Sequence, residues 1–500
     1  MAQNKSHYSK KRRKANLNHN NNPSIQHARF ASTSATFTGQ TNNSSTRSID
    51  EKRLKSMLQD PSKNASSVAG LSKSMKQVNG MYKGIVRYLS NLLTFDHTIY
   101  PVMQNPLIDS GDKGTFQQAF AQTAIFVDKL NPKFNLPLFT EKLFTNGVTF
   151  QYKIEDSKSV AYMEIPTNFC RVSYLEEGVY RYQFDITKLT ETTVLNYPKE
   201  FQTAFAAQKS GGKSDQFVDG KWYQVSDKGV AFTIDPDVLQ QAGQALPPLA
   251  NALVDSIKIE NAKDSMEDTA TLDNTKIVHS RVPIDEKGRP TMELPVVTEY
   301  HNALKRNLPE GAVAITNPFE TKASTLNGTG KDGKFALLDK TIATLYDGVG
   351  VSKMLFSGDG ESSQALERSL TVDAMWLYSS LLPMYTNYYN YELKKASKKT
   401  SLWKIKFLKV TWLSQDEAIE RAKDQLTFGG SRFEYLAYCG MTPLEVANVL
   451  VFEQQSIGID DFMIAKQTSN TLSGDPSQEE AGAPESDDPT DTTTRIKDSQ

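Results

Sequence analysis

Leu366, Leu370, Ala374, Leu377, Leu381, Tyr385 and Tyr388 follow one another at intervals of 4, 4, 3, 4, 4 and 3 residues. Only a helical repeat places residues so spaced on one face, so the stripe predicts an α-helix of more than about 30 residues, near 50 Å long. Pro383 sits inside it. Proline removes one backbone hydrogen bond and crowds the carbonyl of Ser379, so a kink is expected there. After Lys399 the alternation Trp403-Lys404-Ile405-Lys406-Phe407-Leu408-Lys409-Val410 reads as a strand, and the helix with this strand forms a segment over 364–414.

The rest of the chain must supply what such a helix packs against. With 500 residues there is room for roughly two to four structural units. Lys plus Arg total 57 and Asp plus Glu 58, a formal net charge of −1, so any contact with nucleic acid has to come from local patches. Two cysteines, Cys170 and Cys439, exclude a disulfide scaffold and a four-cysteine zinc module. No apolar run approaches the length of about 18 residues that a membrane span needs, and no apolar signal-peptide core is present. Residues 1–50 are rich in Asn, Ser, Thr and Gln with one basic cluster, Lys10 to Lys14, and a disordered arm is expected over 1–72. That cluster reads equally as a contact for an anionic surface or nucleic acid and as a solubilising arm. From about Gly474 eight acids face only Arg495 and Lys497, among Pro476, Pro484 and Pro489; a disordered acidic tail is expected over 473–500.

Between the ends the pattern is α+β. Met75, Val78, Tyr82, Ile85, Leu89 and Leu92 predict a helix over 73–95, and 115–130 repeats the period. Alternation at 148–154 and 180–184, with a further β stretch over 222–234, predicts strands. Pro247-Pro248 opens a helix to about 268. Residues 276–300 look extended, including Glu293 to Val297. Phe335, Leu338, Ile342, Leu345 and Tyr346 mark another helix, closed by Gly348 and Gly350, and a polar loop follows from Ser357 to Ser363. Helices are expected at about 415–426, 431–438 and 443–456.

No legible catalytic constellation accompanies this body. Ala207 to Ser214 fits a permissive Walker A pattern, with Lys213 and Ser214 as its phosphate-binding end. A working phosphate loop follows a strand and opens a helix, and here the order is reversed, which favours a surface loop. His97 beside Asp96 lacks a nucleophile, and a structural role is favoured. Cys170 and Cys439 read as ordinary semi-buried cysteines. Tyr385, Tyr388, Tyr389 and Tyr391 read as packing residues rather than a base-stacking platform. No cofactor or metal site is expected, and the chain is read as a non-enzyme. An ATP-using enzyme built on Lys213 and Ser214 is the contrary reading.

Several co-linear phrases resemble bacteriophage portal proteins, the head–tail connectors of tailed phages, most closely the type in phages of Gram-positive hosts. They are Met81 to Leu93 with Ile99-Tyr100-Pro101, Ile315 to Glu320, Gly348 to Phe356 leading to Ser369 to Ala374, Met441 to Glu445, and Gln467 to Gly474. The likeness covers about 75–472. It implies an α+β wing (73–235), a first stem helix (236–268), a clip (269–333), a second stem helix (334–350), a tunnel loop (351–363), the long kinked wing helix with its strand (364–414) and a helical crown (415–472).

The resemblance also implies a function. A homo-oligomeric ring, a dodecamer in the virion, would sit at a capsid vertex and let double-stranded DNA pass during packaging and ejection. The terminase packaging motor, the major capsid and scaffolding proteins and a head–tail adaptor would be its partners, with no membrane. The protein would reside in the virion, and in the host cytoplasm during assembly. Lys353, Ser357, Gly358, Asp359, Gly360 and Glu361 would face DNA. Passage needs weak contact, since affinity grows with the number of phosphates neutralised; Asp359 and Glu361 would offset Lys353. Another virion component, an adaptor or minor capsid protein, is the neighbouring alternative.

Overall fold

The computed structural model of the chain describes residues 51–102, 113–157, 159–210, 217–274, 276–286, 290–307, 312–317, 331–353, 356 and 363–457. The chain divides into a large compact unit ending at Val446 and a small one beginning at Ala447. The arm before Glu51, the loop residues Ser357, Gly358, Asp359, Gly360 and Glu361, and the acidic tail lie outside the described residues.

The large unit is α+β. It opens with helices α1 (Glu51–Leu58), α2 (Pro61–Val78) and α3 (Gly80–Asn91), strand β1 (His97–Pro101), and helices α4 (Lys113–Leu130) and α5 (Pro132–Asn146). Strands β2 (Thr149–Glu155), β3 (Val160–Ile165), β4 (Cys170–Glu176) and β5 (Val179–Asp185) follow, then α6 (Lys199–Lys209) and β6 (Phe217–Val218), β7 (Trp222–Gln224) and β8 (Gly229–Phe232). Next come α7 (Ala250–Asn274), β9 (Lys276–Arg281), α8 (Leu294–Asn307), β10 (Ala312–Asn317), α9 (Lys331–Val349) and α10 (Ser363–Ala396). Strand β11 (Trp403–Phe407) and helices α11 (Gln415–Thr427), α12 (Arg432–Tyr438) and α13 (Pro443–Val451) close the order. The described part of the small unit finishes α13 and adds a π-helical turn, Phe452–Ile457.

Seven strands make one antiparallel sheet. It runs β3–β2–β8–β5, with β4 and β7 both on β5 and β6 on β7. A separate ribbon pairs β1 with β11, His97 opposite Phe407 and Pro101 opposite Trp403. Helix α10 is buried against both. Tyr385 and Tyr388 meet Phe232 of the sheet edge-on at 5.3 and 5.2 Å, and Tyr389 meets Phe407 of the ribbon at 5.6 Å. The Tyr388 hydroxyl donates to that of Tyr162 at 2.9 Å, and the hydroxyls of Tyr385 and Thr140 on α5 share a hydrogen bond of 2.8 Å. These partners offset the hydration that the Tyr385 and Tyr388 hydroxyls give up on burial. The tyrosine run is therefore packing, as expected from its helical spacing.

Two cations are buried with these elements. Lys153 of β2 pairs with Glu392 of α10, both nearly inaccessible to solvent, and reaches Glu155 at 3.3 Å. Arg181 of β5 donates to Glu176 at 2.8 Å and to the carbonyls of Asp227 and Gly229, with its guanidinium 4.5 Å over the Tyr391 ring. The other side of the sheet is covered by α6 through Phe201, Ala204 and Phe205.

Several expectations need correction. The arm taken to residue 72 is folded from Glu51: Ala65, Val68, Leu71, Ser72 and Met75 form a buried stripe on α2 whose small members disguise it in a Lys- and Ser-rich text. The single helix over 73–95 is two, broken at Asn79, whose side chain accepts from Tyr82 N–H at 2.8 Å and caps α3. Helix α7 starts at Ala250, not 236, because Ala242 (φ 55°) and Gly243 (φ 76°) leave the helical region. It runs on to Asn274, past the expected end at 268. The stretch from Leu294 to Val297 is helical rather than extended, with Pro295 in the first turn where no N–H is required. Helix α10 is one element of 34 residues with Pro383 inside it, as the stripe predicts. The helix over 132–146 has no counterpart in the sequence reading. It ends at Gly147, φ 82°, where an added Cβ would stand 2.3 Å from the Ala245 carbonyl oxygen.

Burial alone lowers the pKa of Lys153, but Glu392 and then Glu155 outweigh that and raise it. Glu392→Gln leaves the buried ammonium with Glu155 alone and is expected to cost about 3 kcal/mol in urea unfolding, whereas Lys153→Met with Glu392→Leu comes out close to wild type. Equal losses in both variants would show that packing, not charge pairing, sets the cost.

Candidate functional site

Helices α7 and α9 pack against one another, with the insert β9–α8–β10 between them in the chain. Strands β9 and β10 are parallel, in register from Lys276 opposite Ala312 to Arg281 opposite Asn317. Helix α8 crosses between them as in a β-α-β unit and lies against β10, where His301 Nδ1 and the Thr316 hydroxyl are 3.0 Å apart. No residue of α8 is buried. Leu294 is 78% exposed, Tyr300 67% and Val296 41%, with Met292 and Ile284 exposed nearby in the chain. Parallel strands are ordinarily covered on both faces.

The segment after α9 is docked rather than loose. Gly350 (φ 79°) turns the chain, Val351 N–H donates to the Tyr346 carbonyl at 3.1 Å, and Val351 is buried. Phe356 then stacks on Tyr346, centroids 5.2 Å apart and 22° between planes, and meets Tyr88 of α3 edge-on at 5.9 Å. Gly84, one turn before Tyr88, makes room for the ring: a Cβ there would be 3.5 Å from it. The Tyr88 hydroxyl donates to Asp373 Oδ2 of α10 at 3.0 Å. One tyrosine thus touches the chain on both sides of residues 357–362. Burial raises the pKa of Asp373 and, with the nearby Asp373 charge, that of Tyr88.

Of the expected DNA-facing residues, Lys353 is described. It is half-buried in the turn whose carbonyl accepts from Phe356 N–H at 3.0 Å. Pro383 lies on the exposed side of α10, twenty residues past the helix start. Phe356, Tyr88 and Asp373 were not legible as a unit, since Tyr88 lies more than 250 residues before the other two and the three carry no motif.

The other candidates resolve into structure. Ala207 to Lys209 end α6, and the next described strand is β6, so the Walker-like stretch follows a helix and precedes a strand. Lys209 pairs with Glu191 at 2.6 Å beside a shallow cleft of about 540 Å³. Neither cysteine is semi-buried: Cys170 is buried and Cys439 exposed. Glu200 accepts from Tyr152, Tyr223 and both the N–H and hydroxyl of Ser226, at 2.7–3.2 Å, and staples α6 to the sheet. Asp96 pairs with Lys133 at 2.5 Å. His97 is buried, its Nδ1 3.1 Å from the Phe95 carbonyl. No protein-family model matches the chain, and no curated protein matches it significantly.

Two outcomes follow from this geometry. Tyr88→Phe leaves the buried Asp373 carboxyl without its donor and is expected to cost about 1–3 kcal/mol in denaturant unfolding, with faster proteolysis near Phe356; unchanged cleavage would remove the tether. Desolvation first, then Lys133, pulls the His97 pKa down to about 4 from 6.5, against the Phe95 carbonyl and Glu445. The unfolded chain therefore binds this proton first. Stability from neutral His97 is full above pH 6.5 and drains as pH falls toward 4, by up to about 3 kcal/mol, a slope that His97→Gln should flatten.

Proposed function

We propose that the chain is a portal protein: one subunit of a closed homo-oligomeric ring at a capsid vertex through which double-stranded DNA is packaged and ejected. The observation that carries the reading is the insert between α7 and α9, whose helix rests on β10 with no residue fully buried and with Leu294, Val296 and Tyr300 exposed. A surface of this kind is completed by a neighbour, and a head-to-tail contact repeated about an axis closes into a ring. The order of elements agrees with the family pattern: an α+β body, a helix pair flanking an insert, a short connection, a 34-residue helix, and terminal helices. In that reading α7 and α9 form the stem, β9–α8–β10 the clip, the segment carrying Lys353 the start of the tunnel loop, and α10 the wing helix. The crown begins with α11 and α12.

Mechanically, the proposed subunit is a guide for DNA, and the work of translocation belongs to a separate terminase motor. Its partners are the duplex, that motor, the major capsid and scaffolding proteins and a head–tail adaptor; its place is the virion, reached from the host cytoplasm. The docking of Phe356 between Tyr346 and Tyr88 supports a mechanical role for the connection, because it fixes where the loop leaves the stem.

The test is mass in solution by sedimentation. The wild-type chain is expected as a particle of several hundred kilodaltons, on the order of ten copies or more for a family-like ring. Val296→Asp with Tyr300→Asp, both on the exposed face of α8, should cut the assembled fraction sharply while leaving the unfolding midpoint unchanged. A variant that assembles like wild type would detach the insert from assembly, and a wild type that stays a single chain at high concentration would end the portal reading.

A further inference from the structure

The chain is balanced in charge, yet residues 393–415 contain seven lysines and no acid: Lys394, Lys395, Lys398, Lys399, Lys404, Lys406 and Lys409. The fold spends some of them on structure. Lys394 pairs with Glu177 at 2.6 Å, Lys395 with Asp227, and Lys406 with Glu434 of α12 at 2.7 Å; Lys399 donates to Gln118 of α4 at 3.4 Å. Lys398, Lys404 and Lys409 are exposed and have no acidic partner among the described residues. We infer that Lys398, Lys404 and Lys409 form a contact surface for the phosphate backbone of duplex DNA, separate from the loop that follows α9.

The scaffold beneath these lysines is rigid. Along β11 burial alternates strictly: Trp403, Ile405 and Phe407 face the core, and Lys404 and Lys406 face water. Trp403 is gripped by Phe116 and Phe120 at 5.2 and 5.4 Å, and Ile405 N–H donates to Asn390 of α10 at 2.9 Å. Lys404 sits opposite Tyr100, which is 43% exposed on β1. Lys398 projects from a turn closed by Thr400, whose hydroxyl donates to the Leu393 carbonyl at 2.6 Å. A frame this rigid fixes the backbone positions from which the lysines reach out, while their flexible stems remain free to follow a phosphate.

The residue type bears on the kind of contact. No arginine occurs between Arg368 and Arg421. Arginine's planar fork favours fixed, paired recognition of carboxylate and phosphate alike, whereas lysine meets a phosphate as a point charge. Lysines without base-reading side chains position a duplex and carry no sequence information. The surface also lies at the far end of α10 from the loop: 34 residues at about 1.5 Å each put some 50 Å between the two ends of the helix. The proposal takes the identity of the polyanion from the portal reading and adds a second place of contact, outside the connection between α9 and α10. The contrary reading is that these lysines only guard the open edges of a two-stranded ribbon against pairing with other strands.

The experiment measures binding of the full-length protein to a fluorescent duplex of mixed sequence across a salt series, with light scattering and particle mass on the same samples. Lys398→Ala, Lys404→Ala and Lys409→Ala combined are expected to weaken binding at least tenfold. They should also make the slope of log affinity against log salt shallower by about 2.7, roughly 0.9 for each phosphate no longer neutralised. The corresponding triple arginine variant should bind like wild type. Wild-type affinity and slope in the alanine variant would overturn the proposal, and a gain in scattering alone would assign the lysines to edge protection. Lysine-dependent binding of single-stranded RNA but not of duplex DNA would overturn it too. A single-chain particle that still loses duplex affinity on alanine substitution would support the contact surface while refuting the ring, and an intact ring with unchanged affinity would do the reverse.

Discussion

The large unit depends on one long helix being wanted by two layers at once. Helix α10 carries Tyr385, Tyr388 and Tyr389 into the space between the seven-stranded sheet and the β1–β11 ribbon, where each ring has an aromatic neighbour within about 6 Å. Below them Glu392 meets Lys153 in the interior. The rings and the buried leucines Leu377, Leu381 and Leu393 supply apolar contact, and the ion pair favours one register, because sliding the helix by one turn would leave two charges buried and apart. The sheet, the ribbon and helices α3, α4 and α5 are arranged around this element, and its N-terminal half reaches Tyr88 through Asp373.

Where local pattern and tertiary demand agree, the sequence reading succeeds. The stripe from Leu366 to Tyr388 belongs to a helix of 34 residues, and the alternation at 149–155, 179–185 and 403–407 belongs to strands. It fails where a side-chain contact decides. Nothing periodic in Met75 to Leu92 reveals that Asn79 interrupts the helix; the interruption comes from its cap on Tyr82 and its bond to Glu260 of α7 at 2.9 Å. Composition hid α1 and most of α2, since alanine and serine on the buried stripe of α2 read as polar text. Pro295 made the start of α8 look extended, though a proline in a first turn costs no hydrogen bond.

The candidate site was legible in outline and not in its parts. A glycine-bearing connection between two helices could be read from Gly348, Gly350 and the polar run after Phe356. The arrangement that steadies it could not, because Tyr88, Tyr346, Phe356 and Asp373 come together only through the pairing of α9 and α10 with α3. The insert is a similar case: its strand-like text is genuine in β9 and β10, while its exposed helix exists only in a context that leaves Leu294, Val296 and Tyr300 uncovered. Charge tells the same story, since a net of −1 conceals a stretch of seven lysines at one end of α10.

The proposed role joins these features into one object, a subunit that is incomplete until its neighbours cover α8 and whose stem-to-wing connection is held from both sides. Electron microscopy of the purified protein viewed end-on addresses that claim most directly. The account predicts hollow, rotationally symmetric particles with a central channel wide enough for a duplex. Solid, asymmetric particles with the dimensions of one folded chain would contradict it.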